Sequence, residues 1–181
     1  MSAGAGKDGQ RLFFALWPSD EFRADLVAAT QSSASASGGR VIPPENLHVT
    51  LLFLGQVAPT RFDTVQQAGI ACANSSAFEL SFAHTEIWGR ANLLALTTSS
   101  IPPQASQLAE KLRDSLRDEV ARTSEHEFRP HITLARDLPR RSQPRQIKPL
   151  SMKVNDFVLV QSRPGAGGSQ YSVVARWPLV C

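Results

Sequence analysis

Cysteine is scarce in this chain of 181 residues, which holds only Cys72 and Cys181. Two cysteines without a metal-ligand spacing predict neither a disulfide framework nor a zinc site. Long apolar runs are absent too, and residues 1–10 lack the apolar stretch of a signal peptide. We therefore expect a protein of a reducing compartment, the cytoplasm, that has no contact with a membrane.

Dense runs of one charge are also missing. The chain has 19 Lys and Arg against 16 Asp and Glu, a net charge of +3. This balance permits a polyanionic partner without requiring one. The densest basic cluster consists of Arg136, Arg140, Arg141, Arg145 and Lys148. Its last four members are interpreted as a solvated loop rather than a dedicated RNA clamp.

Histidine occurs only four times, but two of the four lie in copies of one motif. Residues 48–51 read His-Val-Thr-Leu, and residues 131–134 read His-Ile-Thr-Leu. Because strand side chains alternate between faces, each copy puts a histidine and a threonine on one face and apolar residues on the other. One such triplet would be weak evidence, whereas two in matching strand contexts indicate a shared function. His84 and His126 lack this context and are interpreted as surface or loop residues.

The hydrophobic pattern predicts the element order β-α-β-α-β-β-α-β-β-β. Strands are expected over residues 11–17, 47–54, 78–88, 93–98, 128–136, 152–160 and 170–177. Helices are expected to begin after Ser19, at Pro59 with a capping box of Thr60 and Asp63, and at Pro102, the last of them reaching residue 120. Residues 32–39 and 137–149 are expected to be loops.

A helix precedes each of the two histidine strands, which predicts a duplicated α+β unit. We expect a bilobal fold in which two antiparallel sheets face a central groove and the helices lie outside. Residues 1–10 are expected to be a disordered N-terminus, and residues 11–181 a single bilobal domain, since this length suits one domain. The groove would bring the two histidine faces together.

Paired histidines suit phosphodiester cleavage without a metal or cofactor. Histidine titrates near neutrality, so one ring can act as base and the other as acid. A threonine two residues along the same face places a hydroxyl about 6–7 Å further along the strand. There it could bind a phosphoryl oxygen and stabilise charge that develops in the transition state. The candidate catalytic residues are therefore His48, Thr50, His131 and Thr133.

The chain resembles the two-histidine (2H) phosphoesterases, and among them the RNA 2′,3′-cyclic phosphodiesterases formerly called 2′-5′ RNA ligases. The resemblance is carried by residues 11–15, 46–55 and 129–137, and by a late pattern of Phe157, Ser162, Tyr171 and Trp177. It implies that His48 is the proton donor and His131 the proton acceptor. The implied reaction converts 2′,3′-cyclic phosphates on RNA ends or nucleotides to 2′-phosphates. A runner-up within the same chemistry is ligation of RNA ends through a 2′-5′ bond, the reverse of cleaving such a bond.

Phe53 and Arg136 each lie five residues after a motif histidine. Strict alternation would turn both to the apolar face, unless a twist or a bulge at the strand end re-aims them. A ring and a guanidinium plane suit stacking on a nucleobase, so we expect them to bind substrate. Burial of Phe53 in the core and solvation of Arg136 are equally open interpretations. Trp88, Tyr171 and Trp177 are interpreted as core or rim packing.

An alternative function is a non-catalytic module that binds RNA ends. Two proton-transfer groups argue against it, because binding alone does not need them. Few apolar stripes remain for the surface, so we expect a monomer.

Overall fold

A computed structural model describes residues 9–118, 128–139, 143–165 and 168–180. These residues form nine β-strands and three α-helices. The strands are β1 (Gln10–Leu16), β2 (Arg40–Val41), β3 (Val49–Val57), β4 (Phe78–Trp88), β5 (Leu93–Thr98), β6 (His131–Arg136), β7 (Gln146–Val154), β8 (Asp156–Gly165) and β9 (Gly168–Pro178). The helices are α1 (Asp20–Ala36), α2 (Phe62–Cys72) and α3 (Pro103–Ser115), and short 3-10 helices span Pro44–Asn46 and Pro59–Arg61.

The strands form one antiparallel sheet, so the architecture is mixed α/β. Its order is β7-β4-β5-β6-β3-β1-β8-β9, and β2 pairs with β6. Strands β3 and β6 meet through one residue pair, Val49 and Ile132, which we call the seam. The expectation of two separate sheets is therefore wrong for the described residues, which form two halves of one sheet joined at the seam. One half holds β7, β4, β5, β6 and the short β2, and the other holds β3, β1, β8 and β9. The internal duplication stays a prediction.

The helices cover one face of this sheet. Alternate strand residues such as Phe14 and Ile132 pack with Leu26 of α1 and Leu108 of α3 in the main core. The opposite face carries only a small cluster around Phe13. No helix in the described part of the chain is long and apolar enough to cross a membrane. The functional residues predicted from the sequence lie on the helix-free face.

Helix α1 begins as the sequence predicts and ends later. The Ser19 hydroxyl caps it by accepting a hydrogen bond from the Phe22 amide at 3.2 Å. The predicted loop over residues 32–39 is wrong as far as Ala36. Ser33 and Ala34 are buried against the sheet, so tertiary packing outweighs the low helix propensity of this serine-rich stretch.

Other elements also differ from the prediction. The predicted capping box of Thr60 and Asp63 is absent. A 3-10 helix precedes α2, and no side chain caps the N-terminus of either helix. The predicted strand 152–160 is two strands, β7 and β8, which part at Asn155, and β7 begins inside the predicted loop 137–149. Helix α3 ends at Ser115, and residue 120 lies outside the described residues. Strand β1 begins at Gln10, one residue before the predicted start.

Candidate active site

A groove of about 1500 Å³ lies on the helix-free face of the sheet. Its lining comes mainly from β1, β3, β6, β8 and β9. It contains all six residues predicted from the sequence as catalytic or substrate-binding: His48, Thr50, Phe53, His131, Thr133 and Arg136. The two motif strands are neighbours across the seam, and this proximity brings the two motifs into one site.

Bulges in β3 explain why Phe53 faces the groove. The register of β1 against β3 skips Leu51 and then Leu54. Each skipped residue turns the side chains that follow it to the opposite face of the sheet. Leu51 and Leu54 thus pack into the main core, while Thr50, Phe53 and Gln56 line the groove at three-residue intervals.

Strand β6 contains a bulge of the same kind on the other side of the seam. The register of β5 against β6 skips Leu134, which packs into the main core. Thr133 and Arg136 consequently line the groove although they are three residues apart. Phe53 lines the groove and also packs against the small cluster around Phe13, on whose ring it stacks at 5.7 Å. Arg136 occupies the equivalent place in the second motif strand.

Both motif histidines are held in the same way by the backbone. Nδ1 of His48 lies 2.6 Å from the carbonyl oxygen of Asn46, and Nδ1 of His131 lies 2.8 Å from that of Arg129. A carbonyl oxygen only accepts hydrogen bonds, so Nδ1–H donates in each ring and Nε2 is left for proton transfer. The Thr50 hydroxyl lies 3.0 Å from Nε2 of His48 and donates to it when the ring is neutral.

Three aromatic rings surround His48. The Trp17 ring stacks on the imidazole with centroids 5.6 Å apart, and the Phe13 centroid lies at 5.0 Å. Tyr171 contacts it edge-on at 5.4 Å. These rings exclude water from the parts of the imidazole that they cover, so the imidazolium form of His48 loses solvation.

Burial is the main reason why the pKa of His48 is lowered from 6.5 to about 4. The hydrogen bond to the Asn46 carbonyl opposes this change, and the positive charges of His131, Arg136 and Arg23 reinforce it. At pH 7, His48 is therefore a neutral imidazole in the protein without substrate.

Glu86 organises the surroundings of His131. The Trp88 ring lies 4.3 Å from the imidazole of His131, and the Arg129 guanidinium lies 4.8 Å from the Trp88 ring. The Glu86 carboxylate accepts hydrogen bonds from Trp88 Nε1 at 3.0 Å and from Arg129 at 2.5 Å. Burial lowers the pKa of His131; the Arg129 carbonyl opposes this, while the charges of Arg136 and Arg129 add to it.

Sequence reasoning missed Trp17 and Glu86 altogether. Trp17 follows Phe13 and Ala15 at two-residue steps, so the alternation in β1 was a usable signal. Tyr171 lines the groove and Trp88 contacts His131, whereas Trp177 packs in the core, as interpreted from the sequence.

The groove lining is basic. Among the described residues that line it, the charged side chains are Arg11, Arg40, Arg136, Arg163 and Glu45. Such a surface attracts polyanions. Of the predicted basic cluster, Arg136 lies in this lining, Arg145 and Lys148 do not, and residues 140 and 141 lie outside the described residues. His84 is also outside the lining, and residue 126 is not described.

Comparison with known proteins agrees with this geometry. Residues 18–165 match the family model of the 2′-5′ RNA ligase superfamily. Two relatives named RNA 2′,3′-cyclic phosphodiesterase are each 30% identical: one from Escherichia coli (94% of this chain, 97% of the relative) and one from Thermus thermophilus (93% and 90%). The crystal structure of E. coli LigT complexed with 3′-AMP superposes with a TM-score of 0.87 at 29% identity, over 96% of this chain and 100% of that one. The chain is a member of the 2′-5′ RNA ligase superfamily, the two-histidine phosphoesterases.

Proposed function

We propose that this protein hydrolyses 2′,3′-cyclic phosphates on RNA ends and nucleosides to 2′-phosphates. The observation that carries the proposal is the pair His48 and His131, which line one groove and keep Nε2 for proton transfer by the same backbone hydrogen bond. The basic lining suits a phosphodiester, and the relatives named above carry the name of this activity.

In the proposed reaction His131 is the base and His48 the acid. Nε2 of His131 takes a proton from water, and the water oxygen attacks phosphorus. Nε2–H of His48 then gives a proton to O3′ as the P–O3′ bond breaks, so the products are a 2′-phosphate and a free 3′-hydroxyl. Thr50 and Thr133 donate hydrogen bonds to the non-bridging oxygens, where negative charge grows in the transition state. The chain's own residues perform both proton transfers, so the proposed step is metal-independent.

The acid role of His48 requires that the substrate changes its protonation. With a pKa of about 4, the ring is neutral at pH 7 in the protein without substrate. A bound phosphodiester places a negative charge beside it, which favours the imidazolium and counters the charges of Arg136 and Arg23. Substrate binding is therefore proposed to draw a proton onto His48, and Thr50 then turns its hydroxyl from Nε2 to the phosphate.

Phe53 and Arg136 are proposed to hold the terminal base. Both lie on the groove face, each three residues beyond the threonine of its own motif. An aromatic ring and a guanidinium plane offer two stacking surfaces that tolerate any base. The prediction is that Phe53→Ala raises KM for cyclic nucleotides more than it lowers kcat.

Ligation through a 2′-5′ bond is the reverse of cleaving such a bond, and a ribose hydroxyl takes the place of water as the nucleophile. His131 would take the proton of this hydroxyl as it attacks phosphorus, and His48 would protonate O3′ as the P–O3′ bond breaks, as in hydrolysis. Hydrolysis is favoured because water is the abundant nucleophile, and ligation needs two RNA ends held together. The cytoplasmic location and the monomeric state stay predictions, and size-exclusion chromatography with light scattering tests the second.

The test is hydrolysis of adenosine 2′,3′-cyclic phosphate in EDTA, with the product isomer identified by chromatography. We expect adenosine 2′-phosphate from the wild type and a loss of at least about 100-fold in kcat for His48→Ala and His131→Ala. Arg117→Gln is the control, since Arg117 pairs with Asp114 at the end of α3, outside the groove lining. Retained activity in both motif variants would contradict the mechanism, whereas RNA binding without turnover by the wild type would favour the binding module.

A further inference from the structure

We propose that Arg11, Ser162 and Gln56 form a subsite for the phosphate on the 5′ side of the terminal nucleoside. The groove would then select RNA ends and 5′-phosphorylated nucleotides over nucleosides that carry only the cyclic phosphate. This inference rests on the proposed function, because the subsite anchors a second part of the same substrate.

The three residues form a row across three neighbouring strands. Arg11 of β1 lies opposite Gln56 of β3 on one side and Ser162 of β8 on the other. Neighbouring strands are about 4.8 Å apart, so the three side chains are close enough to reach one anion. All three line the groove, and each carries a hydrogen-bond donor.

The backbone positions of the row lie beyond Phe53, on the side away from the histidines. The guanidinium carbon of Arg11 lies over the Phe53 ring, 5.2 Å from its centre, so the guanidinium must move off that ring face toward the 5′-phosphate when a base stacks there. Along β3 the groove-facing residues run from Thr50 through Phe53 to Gln56. In a nucleotide with a 2′,3′-cyclic phosphate, the 5′ oxygen leaves the ribose away from the cyclic phosphate. A base held at Phe53 would thus direct the 5′-phosphate toward this row.

Charge makes Arg11 the centre of the subsite. Among the described residues no carboxylate pairs with Arg11, in contrast to Arg40, whose Nε lies 3.1 Å from Asp137. Arg11 is exposed to the groove, and a guanidinium binds phosphate through two parallel N–H donors. The groove volume of about 1500 Å³ exceeds the roughly 300–1000 Å³ of common small-molecule pockets, which leaves room beyond one nucleoside.

The experiment compares kcat/KM for adenosine 2′,3′-cyclic phosphate with and without a 5′-phosphate. We expect the wild type to prefer the 5′-phosphorylated substrate by about tenfold or more, the usual effect of a charge-assisted hydrogen bond. Arg11→Gln should remove most of this preference, and Arg11→Lys should keep part of it, because the charge remains. Arg117→Gln is the matched control, since Arg117 pairs with Asp114 at the end of α3, outside the groove lining.

Two results would overturn the subsite. One is a wild type without preference for the 5′-phosphate. The other is an Arg11→Gln variant that loses the same factor on both substrates, because Arg11 would then act only through its contact with Phe53. If the wild type turns over neither substrate, the proposed function fails. The subsite is then tested by the affinities of the protein for adenosine 2′-phosphate and adenosine 2′,5′-bisphosphate. Arg11→Gln must then weaken binding of the bisphosphate alone; equal weakening of both refutes the subsite.

Discussion

Replacing Trp17 with alanine should raise the pKa of His48. Burial is the largest reason why this pKa is lowered to about 4, and the Trp17 ring stacks on the imidazole at 5.6 Å with planes only 16° apart. Removal of the indole admits water to that face of the ring. Water stabilises the imidazolium more than the neutral ring, so the pKa moves back toward 6.5.

The size of the effect follows from the groups that remain. A full return from about 4 to 6.5 would correspond to about 3 kcal/mol, at 1.36 kcal/mol per pH unit. Phe13 and Tyr171 still cover the other sides of His48, and the charges of Arg136 and His131 still oppose its protonation. We therefore expect a rise of about one pH unit, or roughly 1.4 kcal/mol.

The assay is a pH titration of the histidine Cε1–H signals by ¹H–¹³C NMR. The His48 signal is assigned by its loss in His48→Ala. Trp17→Phe is the matched control, because it keeps a ring against the imidazole and should leave the midpoint close to that of the wild type. A wild-type midpoint near 6.5, or a midpoint that Trp17→Ala leaves unchanged, would refute the claim that the aromatic rings set this pKa.

Three further outcomes are expected. Because the folded-state pKa of His48 lies below its unfolded value of 6.5, the contribution of this histidine to stability is fully present above pH 6.5 and is lost as the pH falls to about 4. Urea unfolding at several pH values should show that the free energy of unfolding falls by at most about 3 kcal/mol over this range, and His48→Ala should abolish this fall. Thr50→Val should lower kcat/KM for a cyclic nucleotide about 10- to 100-fold, whereas Thr50→Ser should keep most of it, since the hydroxyl is what the reaction needs. Gly69→Ala should destabilise the fold by about 1–3 kcal/mol, because its Cβ would clash with the Trp177 ring; Gly89→Ala, where a Cβ meets nothing within 4 Å, is the control in thermal unfolding.

The sequence predicts the two histidine motifs and their strands because alternation is regular there. It predicts the bulges less well, since each lies inside an apolar run. Leu51 is followed by Leu52, and Leu134 by Ala135, and all four are buried. A continuous apolar run does not reveal which residue the strand pairing skips. The sequence therefore leaves open which face of the sheet carries the Phe53 side chain until the register is known.

Elements set by long-range packing were the least predictable. The serine-rich end of α1 has weak helix propensity, and its burial against the sheet is a tertiary property. The pairing of β3 with β6 is likewise invisible in either strand alone. Glu86 was missed because Arg129, 43 residues further along the sequence, meets it only in the folded chain.

The seam affects how the distance between the two motif histidines is fixed. The two histidines lie on opposite half-sheets, whose strands β3 and β6 share one residue pair, Val49 and Ile132. Since no long ladder of backbone hydrogen bonds joins these two strands, the separation of the two imidazoles depends in part on side-chain packing. Both seam residues are fully buried, so a loss of volume there should change the distance between the two imidazoles that are proposed as acid and base. The buried pair thus helps to set the spacing of the two histidines, although neither Val49 nor Ile132 lines the groove.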